Sequence, residues 1–199
     1  RMLVERDLRL AVPQLVMTAA TAMPYGVVNV DEVTAFMYDR LVGYLRELGY
    51  SAQEVDAVLE LRPERWAALP ARLAALRQFA ALPEAPALAA ANKRVGNILK
   101  KSEGVAPVAV KAELFGDAAE SALHAALQGV SRRADAAFDA GDLAGSLQAL
   151  AALKAPVDDF FDKVMVNADD PALRANRLAL LGQLHAAMNR IADLSKLAA

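Results

Sequence analysis

The sequence predicts an all-α fold, and three observations carry that prediction. Apolar residues recur at helical spacing from end to end, with no stretch of strand-type alternation. Alanine and leucine dominate, aromatic residues make up only 6%, and the 199 residues include just 10 glycines, a composition that intrinsic propensity turns toward helix. Capping boxes, in which serine or aspartate is followed three residues later by glutamate, stand in front of apolar stripes at Ser51 and Asp117. With 56% hydrophobic residues the chain has enough apolar surface to bury a real core.

Leu8, Val12, Leu15 and Val16 predict an opening helix that gives way to a turn at Met23-Pro24-Tyr25-Gly26. Asp31 is the expected N-cap of a second helix carrying Val33, Phe36, Leu41, Tyr44, Leu45 and Leu48, with Gly49 as its stop. Ser51-Ala52-Gln53-Glu54 opens a short helix that ends before Pro63. Pro63, Pro70, Pro83 and Pro86 are expected to divide the following stretch into short pieces around Trp66, Leu69, Leu73, Leu76 and Phe79, a connector layer. From Glu84 the helices lengthen, up to a loop at Glu103-Gly104-Val105-Ala106-Pro107.

Asp117-Ala118-Ala119-Glu120 starts a helix with Leu123, Leu127, Val130 and Phe138 that ends at Gly141. Leu143, Leu147, Leu150 and Leu153 form the next stripe. Pro156 then takes a first-turn position ahead of Val157, Phe160, Phe161, Val164 and Met165. Asp170 caps and Pro171 begins a last helix, expected to run to about Leu194. The second half therefore predicts an antiparallel bundle of about five helices, preceded by a smaller helical segment, with a boundary near residue 83. The opening residues carry no turn or cap signal ahead of the apolar pattern, so the chain is expected to be a piece of a longer polypeptide.

Catalytic chemistry has little to build on. The sequence has no cysteine, which excludes disulfides, thiolate nucleophiles and Cys-based zinc sites. Its two histidines, His124 and His185, lie in no metal-binding or general-base motif and are expected to be ordinary helix residues. Glycines are scattered at turns and helix ends, leaving no phosphate-cradling loop and no nucleophile elbow. Asp158, Asp159 and Asp162, then Asp169 with Asp170, fall where helix starts favour carboxylates, so no metal site is expected. No apolar run is long enough to span a bilayer. Net charge is −2, so any nucleic-acid surface has to be local.

One helix offers such a surface. At about 100° per residue, Leu88, Ala91, Val95, Ile98 and Leu99 share an apolar arc, while Lys93, Arg94, Asn97, Lys100 and Lys101 gather opposite. No acidic residue interrupts from Ala85 to Ser102. A face of this kind suits phosphate contacts, with Asn97 placed to read a base or ribose edge, but on the residues alone an ordinary solvated surface is the favoured reading. In the last helix, Arg177 lies about 40° from Leu173, inside an apolar arc completed by Leu180, Leu184 and Met188. A buried guanidinium needs a carboxylate, and the preceding helix supplies Asp158 and Asp162 beside its apolar stripe, with Asp162 the expected partner. Arg174 sits at the edge of the same stripe.

Phe160-Phe161-Asp162-Lys163-Val164-Met165-Val166-Asn167-Ala168-Asp169-Asp170-Pro171-Ala172-Leu173-Arg174-Ala175-Asn176-Arg177-Leu178 resembles the signature of the DALR anticodon-binding domain, in the form found in bacterial glycyl-tRNA synthetase β-subunits. Upstream, Ala91-Asn92-Lys93-Arg94-Val95 and Asn97-Ile98-Leu99 are similar to the A-N-K-R-V and N-I-L blocks of the same subunit, and a weaker likeness runs back to Arg40-Leu41. The domain type is shared with arginyl- and cysteinyl-tRNA synthetases; the F-F-D-x-V-M-V and A-N-K-R-V blocks favour the glycyl form.

The resemblance implies a β-subunit that binds tRNA beside an α-subunit carrying the adenylation site. It implies that residues 1–83 end a helical body and residues 84–199 form the anticodon-binding bundle. Lys93, Arg94, Asn97, Lys100 and Lys101 become the first tRNA-binding candidates, with Arg132, Arg133 and Arg174 next. Glycine tRNA and the α-subunit are the implied partners, with neither membrane nor DNA, in the cytoplasm. No cofactor is implied for this chain, and ATP with a divalent cation is implied for the whole ligase. The competing readings are a helical protein–protein module without RNA binding and a small metal-dependent hydrolase piece, which the missing motifs argue against.

Overall fold

A computed structural model describes residues 1–23, 28–102 and 109–198. Pro24 to Gly26 of the expected first turn and all of the expected loop at 103–107 lie outside the described residues. The described residues form α1 (Met2–Glu5), α2 (Val12–Thr21), α3 (Val30–Glu47), α4 (Ala52–Leu59), α5 (Leu69–Ala80), α6 (Ala85–Lys101), α7 (Ala118–Asp139), α8 (Leu143–Ala149), α9 (Lys154–Lys163) and α10 (Pro171–Met188). Short 3-10 turns at Trp66–Ala68, Ala112–Leu114, Leu150–Leu153 and Leu194–Leu197 link them. The fold is all-α, as predicted; extended pairing among the described residues is limited to an isolated bridge between Ala11 and Arg65.

Helix starts follow local chemistry closely. Both capping boxes form: Ser51 and Glu54 satisfy each other's backbone amides, as do Asp117 and Glu120. Asp170 Oδ1 accepts from the amides of Ala172 and Leu173 at the start of α10. Gly49 and Gly141 end α3 and α7 with φ of 86° and 82°, a left-handed conformation that a Cβ would strain.

Several expectations are corrected. The opening helix divides in two, because Asp7 adopts a positive φ of 49° and Pro13 can stand only in a first turn; Leu8 falls between helices, exposed. The cap of α3 is Asn29, whose side chain accepts from the amides of Asp31 and Glu32, and Asp31 moves into the first turn, where the helix dipole favours it. Pro70 starts α5 instead of breaking it, so Leu69, Leu73, Leu76 and Phe79 form one buried stripe on a 12-residue helix. Val164 and Met165 lie past the end of α9, with Val164 buried and Met165 exposed. α10 stops at Met188, because the Asn189 side chain is drawn into contacts across the bundle and the chain folds back to bury Ile191 and Leu194.

In the second half, α7 packs on α8, α9 and α10, while α6 lies against α9, α10 and the Leu194–Leu197 turn. That turn also covers α4, and α5 packs on α8, so one apolar core runs from Val12 to Leu194 across residue 83. Polar ties cross the same line: the Arg72 Nη1 donates to the Ile191 carbonyl at 2.8 Å, and the Asp193 amide donates to the Ala57 carbonyl at 2.8 Å.

Glu54 also ties α4 to α5, accepting from Arg77 Nε at 2.6 Å and Nη2 at 2.9 Å. Arg77, with further help from the Ser51 backbone amide, holds the Glu54 carboxyl at about 2 against an ordinary 4.5. A depressed folded-state value stabilises the fold above the ordinary value, and the gain is lost as pH falls from about 4.5 toward about 2. The whole shift converts to about 3 kcal/mol, and the half-exposed Arg77 reduces this to about 1–2 kcal/mol through solvent screening. Urea unfolding of Glu54→Gln is expected to show that loss at pH 7, with the two proteins converging at pH 2–3; a pH-independent difference would mean that packing, not charge, is at work.

Candidate nucleic-acid interface

α6 is amphipathic in the predicted sense. Leu88 and Val95 are buried, Ile98 and Leu99 pack partly against the core, and Lys93, Arg94, Asn97, Lys100 and Lys101 are exposed. Among the described residues none of its four cations is within ion-pair distance of a carboxylate. The candidates fall into two rows. Lys93, Asn97 and Lys100 line a cleft of about 280 Å³ against the end of α10 and the segment after it, with Gly96 at its floor and His185, Asn189, Asp193 and Ser195 on the far wall. Arg94 and Lys101, about 80–100° further round the helix from Lys93, face the α9 side, where the Arg94 guanidinium lies over the Phe161 ring, 4.1 Å from its centroid.

The cleft is anchored by a residue the sequence reading passed over. Asn92 is fully buried and pairs reciprocally with Asn189, its Nδ2 donating to Asn189 Oδ1 at 2.8 Å and its Oδ1 accepting from Asn189 Nδ2 at 3.0 Å. Asn189 Oδ1 also accepts from the Leu194 amide, so one pair of side chains fixes α6, the end of α10 and the returning chain. An asparagine next to the apolar arc of α6 was the available signal; its partner, 97 residues away, left none. His185 stands in the same wall. Burial holds its imidazole below the ordinary range, with Asp193 pulling the other way and Lys100 adding to the lowering, so the ring is neutral at pH 7.

The remaining candidates are not gathered there. Arg132 and Arg133 are exposed on α7, and Arg174 is exposed in the first turn of α10; none borders the cleft. Arg177 is buried and ion-paired, but its partner is Glu120 and not Asp162, which is exposed on α9. Arg177 Nε donates to Glu120 Oε1 at 2.9 Å, Nη2 to Oε2 at 3.2 Å, and Nη1 to the Met165 carbonyl at 2.8 Å. Glu120 Oε2 also accepts from the Gly116 and Asp117 amides, so the capping carboxylate of α7 serves as the counter-ion of α10. Its i, i+3, i+7 relation to Leu123 and Leu127 marks Glu120 as a charge on an apolar stripe, which matches Arg177. Asn176 beside it, also buried, exchanges hydrogen bonds with both backbone groups of Lys111.

Three of the five residues in the acidic clusters have local partners among the described residues. Asp158 pairs with Lys154 at 2.7 Å, Asp159 pairs with Lys163 at 2.6 Å, and Asp170 caps α10. Among the described residues no three His, Cys, Asp or Glu side chains come together as metal ligands would, and no helix is long and apolar enough to cross a membrane.

Fold and site together define a class: an all-helical bundle with one basic helix on its surface whose cations make no ion pair among the described residues. Residues 88–197 match the DALR anticodon binding domain, and the chain belongs to that family. Over its whole length it is also similar to proteins named glycine–tRNA ligase beta subunit. It is 61% identical to the one from Thiobacillus denitrificans over 201 residues, 59% to that of Dechloromonas aromatica over 206 and 60% to that of Leptothrix cholodnii over 202. The chain spans 28–29% of the length of these relatives.

Proposed function

We propose that the chain is the anticodon-holding part of a glycine–tRNA ligase β-subunit, in which residues 84–199 bind the anticodon stem-loop of glycine tRNA and residues 1–83 end the helical body. The observation that carries this reading is the exposed cationic face of α6, which makes no ion pair among the described residues, on a domain of the DALR family. Lys93, Lys100 and Lys101 contact phosphates and release counterions, while Asn97 faces a ribose or base edge. The chain contributes tRNA affinity to an ATP-dependent ligation and no catalytic group. ATP with its divalent cation is bound elsewhere in the whole enzyme, with the α-subunit as partner, in the cytoplasm.

Exposed large apolar side chains favour a second role for the first part of the chain. Met2, Leu8, Leu10, Met17, Met23, Val33, Phe36 and Leu48 all lie before residue 50, whereas Met165 alone is so exposed among the described residues after 83. Such residues suit contact with protein, so the two readings divide the chain between them. Titration with glycine tRNA and with polyglutamate at two salt concentrations tests the RNA reading. Tighter binding to tRNA, with log K falling linearly against log salt, is the expected result. Equal binding to both polymers would leave the protein–protein module as the function of the whole chain.

A further inference from the structure

We propose that Arg94, backed by the Phe161 ring, forms a stacking platform for one unpaired base of an RNA loop and is not a phosphate contact; this rests on the RNA-binding reading above. The described residues contain six arginine–aromatic pairs. In three of them the guanidinium is committed to a carboxylate: Arg1 to Glu5, Arg77 to Glu54, and Arg190 to Asp135 and Asp139. Arg40 and Arg62 have no carboxylate among the described residues but sit 5.1 and 5.9 Å from their ring centroids. Arg94 combines the close approach, 4.1 Å, with no ion pair among the described residues, and it alone of the six stands on the basic helix.

The physical consequence is a layered surface. Phe161 is half-buried and held edge-on by Phe160, with centroids 5.5 Å apart, so the ring is fixed from below. The Arg94 guanidinium carbon lies over that ring at 4.1 Å from its centroid, and Arg94 is exposed. A planar, weakly hydrated cation held over an aromatic ring is pre-organised to accept a flat π-system on its solvent side. Lys101, about two helical turns further on, stands on the same side to hold a phosphate of the same RNA loop.

The test compares Arg94→Lys, Arg94→Ala, Phe161→Tyr and Phe161→Leu in the same glycine tRNA titration, with each variant's melting checked by circular dichroism. Lysine keeps the charge and loses the plane, so Arg94→Lys and Arg94→Ala are both expected to weaken binding by about tenfold or more, as loss of one base stack does, with the salt slope of Arg94→Lys unchanged. Phe161→Tyr keeps the ring face and retains affinity; Phe161→Leu loses it while still folded. Wild-type affinity in Arg94→Lys, together with a slope lowered by about one in Arg94→Ala, would make Arg94 a phosphate contact and overturn the platform. Wild-type affinity in Arg94→Ala would leave the contact purely structural and overturn it as well. If the unaltered chain does not prefer tRNA to polyglutamate, the RNA-binding reading itself fails, and the platform with it.

Discussion

Arg177→Ala is expected to lower stability by about 3–5 kcal/mol, the cost of leaving one partner of a buried ion pair alone. The Glu120 side chain is fully buried and that of Arg177 is 10% exposed, so no solvent reaches in to replace the guanidinium. After truncation Glu120 keeps only the Gly116 and Asp117 amides, and the Met165 carbonyl loses its donor. For a chain of this length the melting temperature should fall by about 10 °C. The double variant Arg177→Met with Glu120→Gln should recover part of the loss, because glutamine still accepts from the capping amides while the uncompensated charge is gone. Normal melting with poor tRNA binding in Arg177→Ala would instead place this arginine on the RNA.

Reversing Lys93, Lys100 and Lys101 to glutamate should have the largest effect on binding with almost none on folding. All three are exposed and carry no ion pair among the described residues, so melting should stay within the small range of surface substitutions. Each lost phosphate contact is worth about 1 kcal/mol in water, so three together weaken glycine tRNA binding by about a hundredfold at low salt. The plot of log K against log salt should flatten by about 2 to 3, at about 0.7–0.9 per phosphate released. An unchanged affinity and slope would remove α6 from the interface and shift attention to Arg132, Arg133 and Arg174, which stand on other helices.

Arg177 and Glu120 join the starts of α7 and α10 to the segment that follows α9. Asn92 and Asn189 do the same for α6 and the returning chain. These four polar side chains are paired with one another, which fixes helix positions, while the lysines of α6 stay on the surface.

What the sequence determined by itself is whatever depends on neighbours within a turn or two of helix. Ser51–Glu54, Asp117–Glu120 and Asp170 set helix starts, Gly49 and Gly141 set stops, and the wheel positions of Lys93, Asn97 and Lys100 already placed them opposite Leu88 and Val95. The same periodicity placed Arg177 inside. Only the tertiary structure decided who meets whom: Glu120 and not Asp162 for Arg177, Asn189 for Asn92, Phe161 for Arg94, and a last helix cut short at Met188. Capping and amphipathic spacing are short-range interactions written into consecutive residues, whereas a buried partner 57 or 97 residues away is chosen by how packed helices bring their faces together.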